Sequence, residues 1–573
     1  MKTTAWIGLL LLALNQASQA ALIVENLGRI ELNGCEISAF DPATKRAFAT
    51  GSVADGGTGL ARAVVQVIDL ADPASPAHLQ DIDLVSLGVT DLGGGVQSVA
   101  VANGILAAAV APSNRQASGT VAFFNTASLA LLASVSVGAL PDMVTFTPDG
   151  SKALIANEGE PGATDPQGSV SVIDVATFTE QRASFTNFND DVASLRAAGV
   201  RFFPAVTAGT STVAQDFEPE YVATEDGVTA WVTIQEANAI AQLDIASATI
   251  TAIIPLGLKD HSVPGNGLDP SDRDSAIAIT NWPVFGMYMP DAIASFTSGG
   301  ATYYATANEG DTRTEDARVS ALALDPTAFT NGAFLKNNAR LGRLTVSRID
   351  GDTDGDGDYD RIQVYGARSF TIWDTAGSRV FDSGDELEVV TAAETPALFN
   401  ADLGDATLVD TRSDNKGPEP EAVTSGDVGG LPCLFVGIER AGGGFLVYDV
   451  TNPSAPAFED YARNDADVST EGLLFVPAAG SPNGKALVLA SHEISGTLAI
   501  YSIERDQDGD GLADDEDACP ESIFDATVVI DGCATGIANV MATAGCTLAD
   551  LIAGIAANAV NHGHFVSGVA HLA

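Results

Sequence analysis

The feature that most restricts what this chain can fold into is a recurring order of short segments. Each runs from an apolar strand opened by an acid or amide, through a turn, to a second strand closed by glutamate, and then to a third strand. Asp142-Met-Val-Thr-Phe leads through Pro148-Asp-Gly to Ala153-Leu-Ile-Ala, then Asn157-Glu158, then Gly168-Ser-Val-Ser-Val-Ile-Asp174. The same order returns from Glu220 through Gln235-Glu236 to Asp244, and from Asp291 through Asn308-Glu309 to Arg318-Val-Ser-Ala-Leu. It returns again from Glu421 through Glu439 to Asp449, and from Glu471 through His492-Glu493 to Thr497-Leu-Ala-Ile-Tyr. Two earlier segments, opening at Glu36 and Gln97, match less fully. Short, self-similar strands at even spacing, with turn residues between them, predict the blades of a β-propeller. A repeat architecture also suits 573 residues, because it grows without an ever-larger single core. The expected fold is therefore all-β, a propeller of seven blades. The stretch 340–390, containing Arg368-Ser-Phe-Thr-Ile-Trp-Asp374, is an eighth blade or an insertion. Tandem two-sheet sandwiches are the architectural alternative.

Aligning the repeats exposes an arrangement that single motifs hide. The first strands open with Glu36, Gln97, Asp142, Glu220, Asp291, Glu421 and Glu471, and the second strands close with Glu158, Glu236, Glu309, Glu439 and Glu493. In a propeller blade the first strand lines the central channel and the second runs antiparallel to it. The start of one and the end of the other then share a face, which predicts two rings of carboxylates around one channel mouth. Crowded carboxylates raise one another's pKa or recruit a cation; the competing reading is that they cap strands and accept backbone N–H bonds. Arg313 and Arg440 are the chief cations nearby in sequence. The whole chain shares this bias, with 75 Asp and Glu against 27 Lys and Arg, a formal net charge of −48. That excludes a nucleic-acid partner, whose phosphates require clustered Lys and Arg, and points to cations. Disorder is excluded over most of the chain by 46% hydrophobic residues and a mean hydropathy of +0.17.

Two segments carry more specific chemistry. From Asp350 onward, Asp352, Asp354, Asp356, Asp358 and Asp360 alternate with glycines and other residues, and Asp506, Asp508, Asp510, Asp514 and Asp517 form a second such run. Alternation lets successive carboxylates converge on one ion, while glycine permits the tight curl; these ten residues are the expected calcium ligands. Neither run is an EF-hand, since the bidentate Glu at the twelfth position and clear flanking helices are missing. The second, with Leu512 after its glycine and Cys519-Pro at its close, resembles a thrombospondin type 3 repeat. A solvated acidic turn is the plainer alternative for both.

The ends of the chain read differently from its middle. Lys2, the apolar run from Ala5 to Leu14, and Ser18-Gln19-Ala20 predict a secretory signal peptide over 1–20. No later run is apolar for long enough to span a bilayer, so the expected location is periplasmic, secreted or at the cell surface. Export permits disulfides, and a bridge within Cys519, Cys533 and Cys546 is expected. Cys35 and Cys433 could pair only if distant parts of the chain meet, as a closed ring would allow. The expected organisation is a propeller over 24–503, a calcium segment over 504–533 and a small helical tail over 534–573. In that tail Leu548, Leu551, Ile552 and Ile555 form a helical stripe behind the N-cap Thr547. His562, His564 and His571 follow; ordinary packing or surface histidines are a better reading than metal ligands, because no carboxylate or Cys completes a pattern.

Several ordered motifs carry a family resemblance. Val137-Gly-Ala-Leu-Pro-Asp-Met-Val-Thr-Phe-Thr-Pro-Asp-Gly150, Ala156-Asn-Glu-Gly-Glu-Pro161 and Gln215-Asp-Phe-Glu-Pro-Glu-Tyr221 resemble the choice-of-anchor I family. So do Lys259-Asp-His-Ser262, Asn308-Glu-Gly-Asp-Thr-Arg313 and Lys416-Gly-Pro-Glu-Pro-Glu-Ala422. The resemblance implies an exported propeller of the YVTN/WD40 type, similar to mesenchyme-specific cell-surface glycoproteins of sea urchins. Some members bear an alkaline-phosphatase label, and no settled catalytic residues come with the family. No nucleophile elbow, P-loop or His-Glu-x-x-His motif is present in the sequence. Two functions follow as expectations. One is a secreted calcium-binding propeller for adhesion, matrix or mineral interaction. The other is a calcium-dependent phosphoesterase acting on phosphorylated small molecules at the acidic mouth, with Asp260, His261 and Arg313 as phosphate or supporting contacts.

Overall fold

The computed structural model describes residues 22–54, 61–89 and 94–572; the expected signal peptide lies outside the described residues. The chain divides into two compact units, Val24–Ile503 and a unit containing Glu504–Ala573. The large unit holds seven four-stranded sheets built from antiparallel hairpins. Their first strands, in ring order, are Ser38–Asp41, Val96–Ala102, Pro141–Phe146, Pro219–Ala223, Ile293–Ser298, Pro420–Val428 and Thr470–Val476. Each first strand touches the next, and the seventh touches the first. The sheets therefore close into a propeller-like ring, which tandem sandwiches would not do.

Apolar clusters fill the wedges between neighbouring sheets. Phe48, Val65, Leu106 and Phe124 join the first and second sheets, and Phe123, Val144 and Ile155 join the second and third. Between the fourth and fifth, Trp231 stacks on Tyr304 with centroids 4.3 Å apart. Alternation along each strand puts these side chains on both buried faces, which is why the middle strands read as nearly continuous apolar runs.

Two sheets depart from the simple repeat. The seventh takes its outer strand, Leu22–Glu31, from the other end of the chain, in the order Leu22–Glu31, Thr497–Arg505, Ala486–His492, Thr470–Val476. In the fifth, the third and fourth strands are Phe370–Asp374 and Arg379–Asp382. The stretch 340–390 thus completes the fifth sheet and is not a sheet of its own. The segment at Arg318, expected as a third strand, belongs instead to a two-stranded ribbon, Asp316–Arg318 with Thr345–Ser347. That ribbon lies in an insertion whose Val319, Leu341, Val346 and Ile362 share a core with Leu268 from the connection between the fourth and fifth sheets.

The smaller unit contains two short ribbons and the helices Leu548–Asn558 and His562–Val569. Thr547 caps the first helix, its hydroxyl accepting from the Asp550 N–H while the Asp550 carboxylate accepts from the Thr547 N–H, a reciprocal capping box. Cys519 and Cys546 form a disulfide, and Cys533 is a free, exposed thiol. Cys35 and Cys433 are both free and buried although the ring closes. Cys35 sits in the apolar wedge between the seventh and first sheets, and Cys433 lies on the second strand of the sixth.

The disulfide spans 27 residues of a unit too small to bury a large core, and Phe524, Ile537, Val540 and Val560 remain exposed. Closing a loop of that size contributes about 3–4 kcal/mol by the chain-entropy relation. Cys519→Ser with Cys546→Ser should therefore make the segment after residue 504 susceptible to limited proteolysis while the ring stays resistant. Equal protease resistance in both proteins would refute this.

Candidate functional site: the acidic channel mouth

Local backbone geometry explains how the acids reach the channel. In five sheets the pairing register slips at the opening acid or amide: Pro141/Met143, Pro219/Val222, Pro420/Val423, Thr470/Gly472 and Val96/Ser98. A bulge leaves its residue outside the ladder and re-aims the side chain, and here it frees Asp142, Glu220, Glu421, Glu471 and Gln97. In four sheets the residue two positions before the acid is a left-handed non-glycine: Leu140, Met289, Glu419 and Ser469. Such backbone persists only where the surroundings enforce it. The enforcing contact is visible in three sheets, where the carbonyls of Leu140, Glu419 and Ser469 accept from the N–H of Glu158, Glu439 and Glu493. One hydrogen bond per sheet thus ties the first ring of acids to the second. Buried asparagines steady the second ring: Asn157 Nδ2 donates to Ser171 Oγ (3.0 Å) and Asn308 Nδ2 to Thr371 Oγ1 (2.8 Å).

All ten acids expected at the mouth line one cavity of about 590 Å³. Glu36, Glu160 and Asp311 join them, giving thirteen carboxylate side chains against four cationic ones: Arg115, Arg412, Lys416 and Arg440. Below it, a second cavity of about 470 Å³ is lined by all seven first strands and is less polar. Tyr221 and Ile37 line both cavities and so mark the floor of the acidic one.

The electrostatics follow from burial and crowding. Burial, then the charges of Glu493 and Asp142, push Glu36 up to about 6; burial does the same for Asp142, also to about 6. Burial raises Glu236 to about 7 and Glu439 to about 8. Glu158, Glu220, Asp291, Glu421 and Glu471 are held well above the ordinary range, by burial first and neighbouring acids second. The exception is Glu419 behind the wall: burial works against its ionisation, but Lys416, Arg412 and Arg440 converge on it and keep it below the ordinary value. The Arg412 guanidinium reaches Glu419 Oε1 at 2.5 Å and Arg440 Nε reaches Oε2 at 3.3 Å.

The phosphate-contact candidates lie elsewhere. Asp260 ends the strand Leu258–Asp260, where its carboxylate accepts from Ser262, and His261 is fully buried with Nδ1 2.8 Å from the Asn266 carbonyl. Neither lines the mouth. Arg313 stands behind it, ion-paired with Asp216 and Glu218 and 4.0 Å from the Phe203 ring centroid. Sequence reading missed Arg115, Arg412 and Lys416, which reach the mouth from loops outside the aligned repeat. It also left Tyr221 without a role, although it directly follows Glu220.

The two Asp-rich loops prove to be copies of one geometry. In the first, Asp352 accepts from the N–H groups of Gly355 and Gly357, and Asp360 from Thr353. In the second, Asp506 accepts from Gly509 and Gly511, and Asp514 from Gln507, at the same spacing. Gly355, Gly357, Gly509 and Gly511 all adopt positive φ, which the curl requires. Oxygens of Asp352, Asp354 and Asp356 lie within 4.8 Å of one another, as do those of Asp506, Asp508 and Asp510. Asp358 and Asp360 group instead with Asp325, from outside the run. Asp514 pairs with Arg505, and Asp517 accepts from the Cys519 N–H. Among the described residues, no group of three possible metal-binding side chains includes His562, His564 or His571.

Fold and site together define an all-β, propeller-like protein whose central channel opens through two tied rings of acids. A family model, the choice-of-anchor I domain, matches residues 36–453, and the chain belongs to that family. It is 28% identical over 191 residues to Gigasin-3a of Magallana gigas, covering 30% of this chain and 66% of that protein. It is 24% identical over 291 residues to the mesenchyme-specific cell surface glycoprotein of Strongylocentrotus purpuratus, covering 44% of this chain and 36% of that protein. The matches thus span less than two thirds of either relative. Among solved structures, hydrazine synthase of Kuenenia stuttgartiensis aligns with TM-score 0.41 and 11% identity, over 82% of this chain and 96% of that one. Virginiamycin B lyase from Staphylococcus aureus gives 0.41 and 9%, over 84% and 99%. Likenesses this weak carry no argument about activity. No helix among the described residues is long and apolar enough to cross a membrane.

Proposed function

We propose that this protein is an extracellular, calcium-binding propeller of seven blades, exported by its N-terminal segment, that engages matrix or mineral through bound calcium. The observation that carries the reading is the duplicated loop. Two segments far apart in sequence curl through the same hydrogen bonds, and each brings three carboxylate oxygens within 4.8 Å of one another. Carboxylate oxygens on a glycine-rich curl are the donor set of calcium, which takes about six to eight oxygens at flexible geometry. Backbone N–H groups hold the outer carboxylates in place, so Asp352, Asp354, Asp356 and Asp506, Asp508, Asp510 would supply the charged part of the shell. A divalent ion also offsets part of the −48 charge and lets an acidic protein meet an anionic surface. The relative described as a cell surface glycoprotein fits this placement.

Calorimetric titration of the chelator-stripped protein tests the loops. The expected result is calcium binding at both, with Asp506→Asn plus Asp508→Asn removing one site and leaving the other. A binding isotherm unchanged by these substitutions and by Asp352→Asn plus Asp354→Asn would overturn the assignment.

A further inference from the structure

The channel mouth contains a grouping that differs in kind from the loops. Glu309 and Glu439 follow the second strands of the fifth and sixth sheets, while Glu421 comes from the bulge that opens the sixth. One oxygen of each lies within 4.8 Å of the others, and none of the three residues is more than 9% exposed. Glu309 is held by the Lys416 ammonium and by Gln235 Nε2 (2.8 Å), and Glu439 by Arg440 (2.9 Å). Glu421 is different: its Oε2 is buried and no donor reaches it. The side chain beside it is another acid, Asp291, which brings no fixed donor of its own, since two carboxyls bond only by sharing a proton. A buried carboxylate oxygen without a donor is costly unless a cation completes it.

We propose that Glu309, Glu421 and Glu439 form a site for one hard divalent cation, in which Glu421 supplies the open ligand. Three oxygen donors and no nitrogen or sulfur select calcium, magnesium or manganese over zinc or copper. The ligands stand at strand ends and a bulge of two adjacent sheets, so a bound ion would clamp those sheets at the mouth, unlike a loop ion held by one local curl. Glu471 and the exposed Glu493 also group with Glu439 and would offer a cation its route in.

This site is independent of the loops, and its test keeps the two apart. The full chain carrying Asp352→Asn, Asp354→Asn, Asp506→Asn and Asp508→Asn is stripped with chelator and titrated with Ca²⁺ and with Mn²⁺. Retention of one cation per chain is expected, with affinity falling at least about tenfold when Glu421→Gln is added. Wild-type crystals grown with Mn²⁺ should show an anomalous peak among the three glutamates, and Glu421→Gln crystals should lack it. Absence of that peak in wild type while the loops are filled overturns the proposal, as does a mouth peak that survives Glu421→Gln. If the loop-substituted chain does not fold, the two crystals decide. Loss of loop binding with a filled mouth would instead count against the loop assignment alone.

Discussion

Deleting residues 22–31 should leave a chain that does not fold to a stable, soluble monomer. This strand is the outer edge of the seventh sheet, and through it one sheet contains both ends of the ring-forming chain. Leu27 and Ile30 pack on the wedge of Phe40, Leu487, Leu489 and Leu498, and Arg29 reaches the buried Asp467 at 3.1 Å. Just beyond the strand, the Leu32 N–H donates to the Gly496 carbonyl at 2.7 Å. Burial of two or three such side chains contributes on the order of 5 kcal/mol, comparable with the net stability of many domains. The loss also bares the edge of Thr497–Arg505, a long apolar strand and hence a template for aggregation. Size-exclusion chromatography and urea unfolding would register it. A deletion variant that stays monomeric with an unshifted urea midpoint would show that the ring does not depend on this closure.

Why the closure was invisible in the sequence is instructive. Repeat reading works on neighbours, and each of the other sheets draws its strands in chain order. The closing strand has no partner within hundreds of residues, and its pattern, half-buried along Leu22–Glu31, resembles any edge strand. The fifth sheet failed for the opposite reason. An insertion separates Ala301–Ala307 from Phe370–Asp374, so the nearest strand-like text, at Arg318, reads as the third strand. The acids themselves were legible because they recur at the same two steps of the repeat, four of the first ring (Asp142, Glu220, Glu421 and Glu471) on a bulge. The cations Arg412 and Lys416 lie in the connection between sheets, which follows no period. Their role depends on a buried carboxylate, Glu419, whose importance comes from three-dimensional convergence and not from spacing.

In chelator, the protein should lose stability as pH rises from 5 to 8, and calcium should reverse the loss. The groups that set this window are not among the three proposed ligands. Glu36, raised to about 6, faces Glu493, Asp142 and Arg115; Asp142, raised to about 6, faces Arg115, Gln97 and Glu160. Glu236, raised to about 7, faces Arg313, Asp311 and Arg201. Burial is the largest cause for all three. A carboxyl whose pKa is raised on folding favours the folded state fully while it is protonated in both states, below about pH 4. That contribution disappears as pH rises through the folded values, here about 6 to 7. After allowance for coupling, the three together represent on the order of 5 kcal/mol. Glu220, buried among Glu158, Glu236, Asp142 and Asp291, is the variant of choice. Glu220→Gln keeps the shape and removes the cost of holding this carboxyl among other acids, whether as a proton retained against the solvent pH or as a charge, so its melting temperature in chelator at pH 8 should exceed that of wild type by several degrees, at about 1–3 kcal/mol. Calcium should add less to this variant than to wild type, because there is less repulsion to relieve. Thermal unfolding at pH 5, 6, 7 and 8, with and without calcium, measures all of this. A melting temperature that climbs with pH in chelator, or falls on Glu220→Gln, would mean the acids are stabilising strand caps, not a ring held against its own charge.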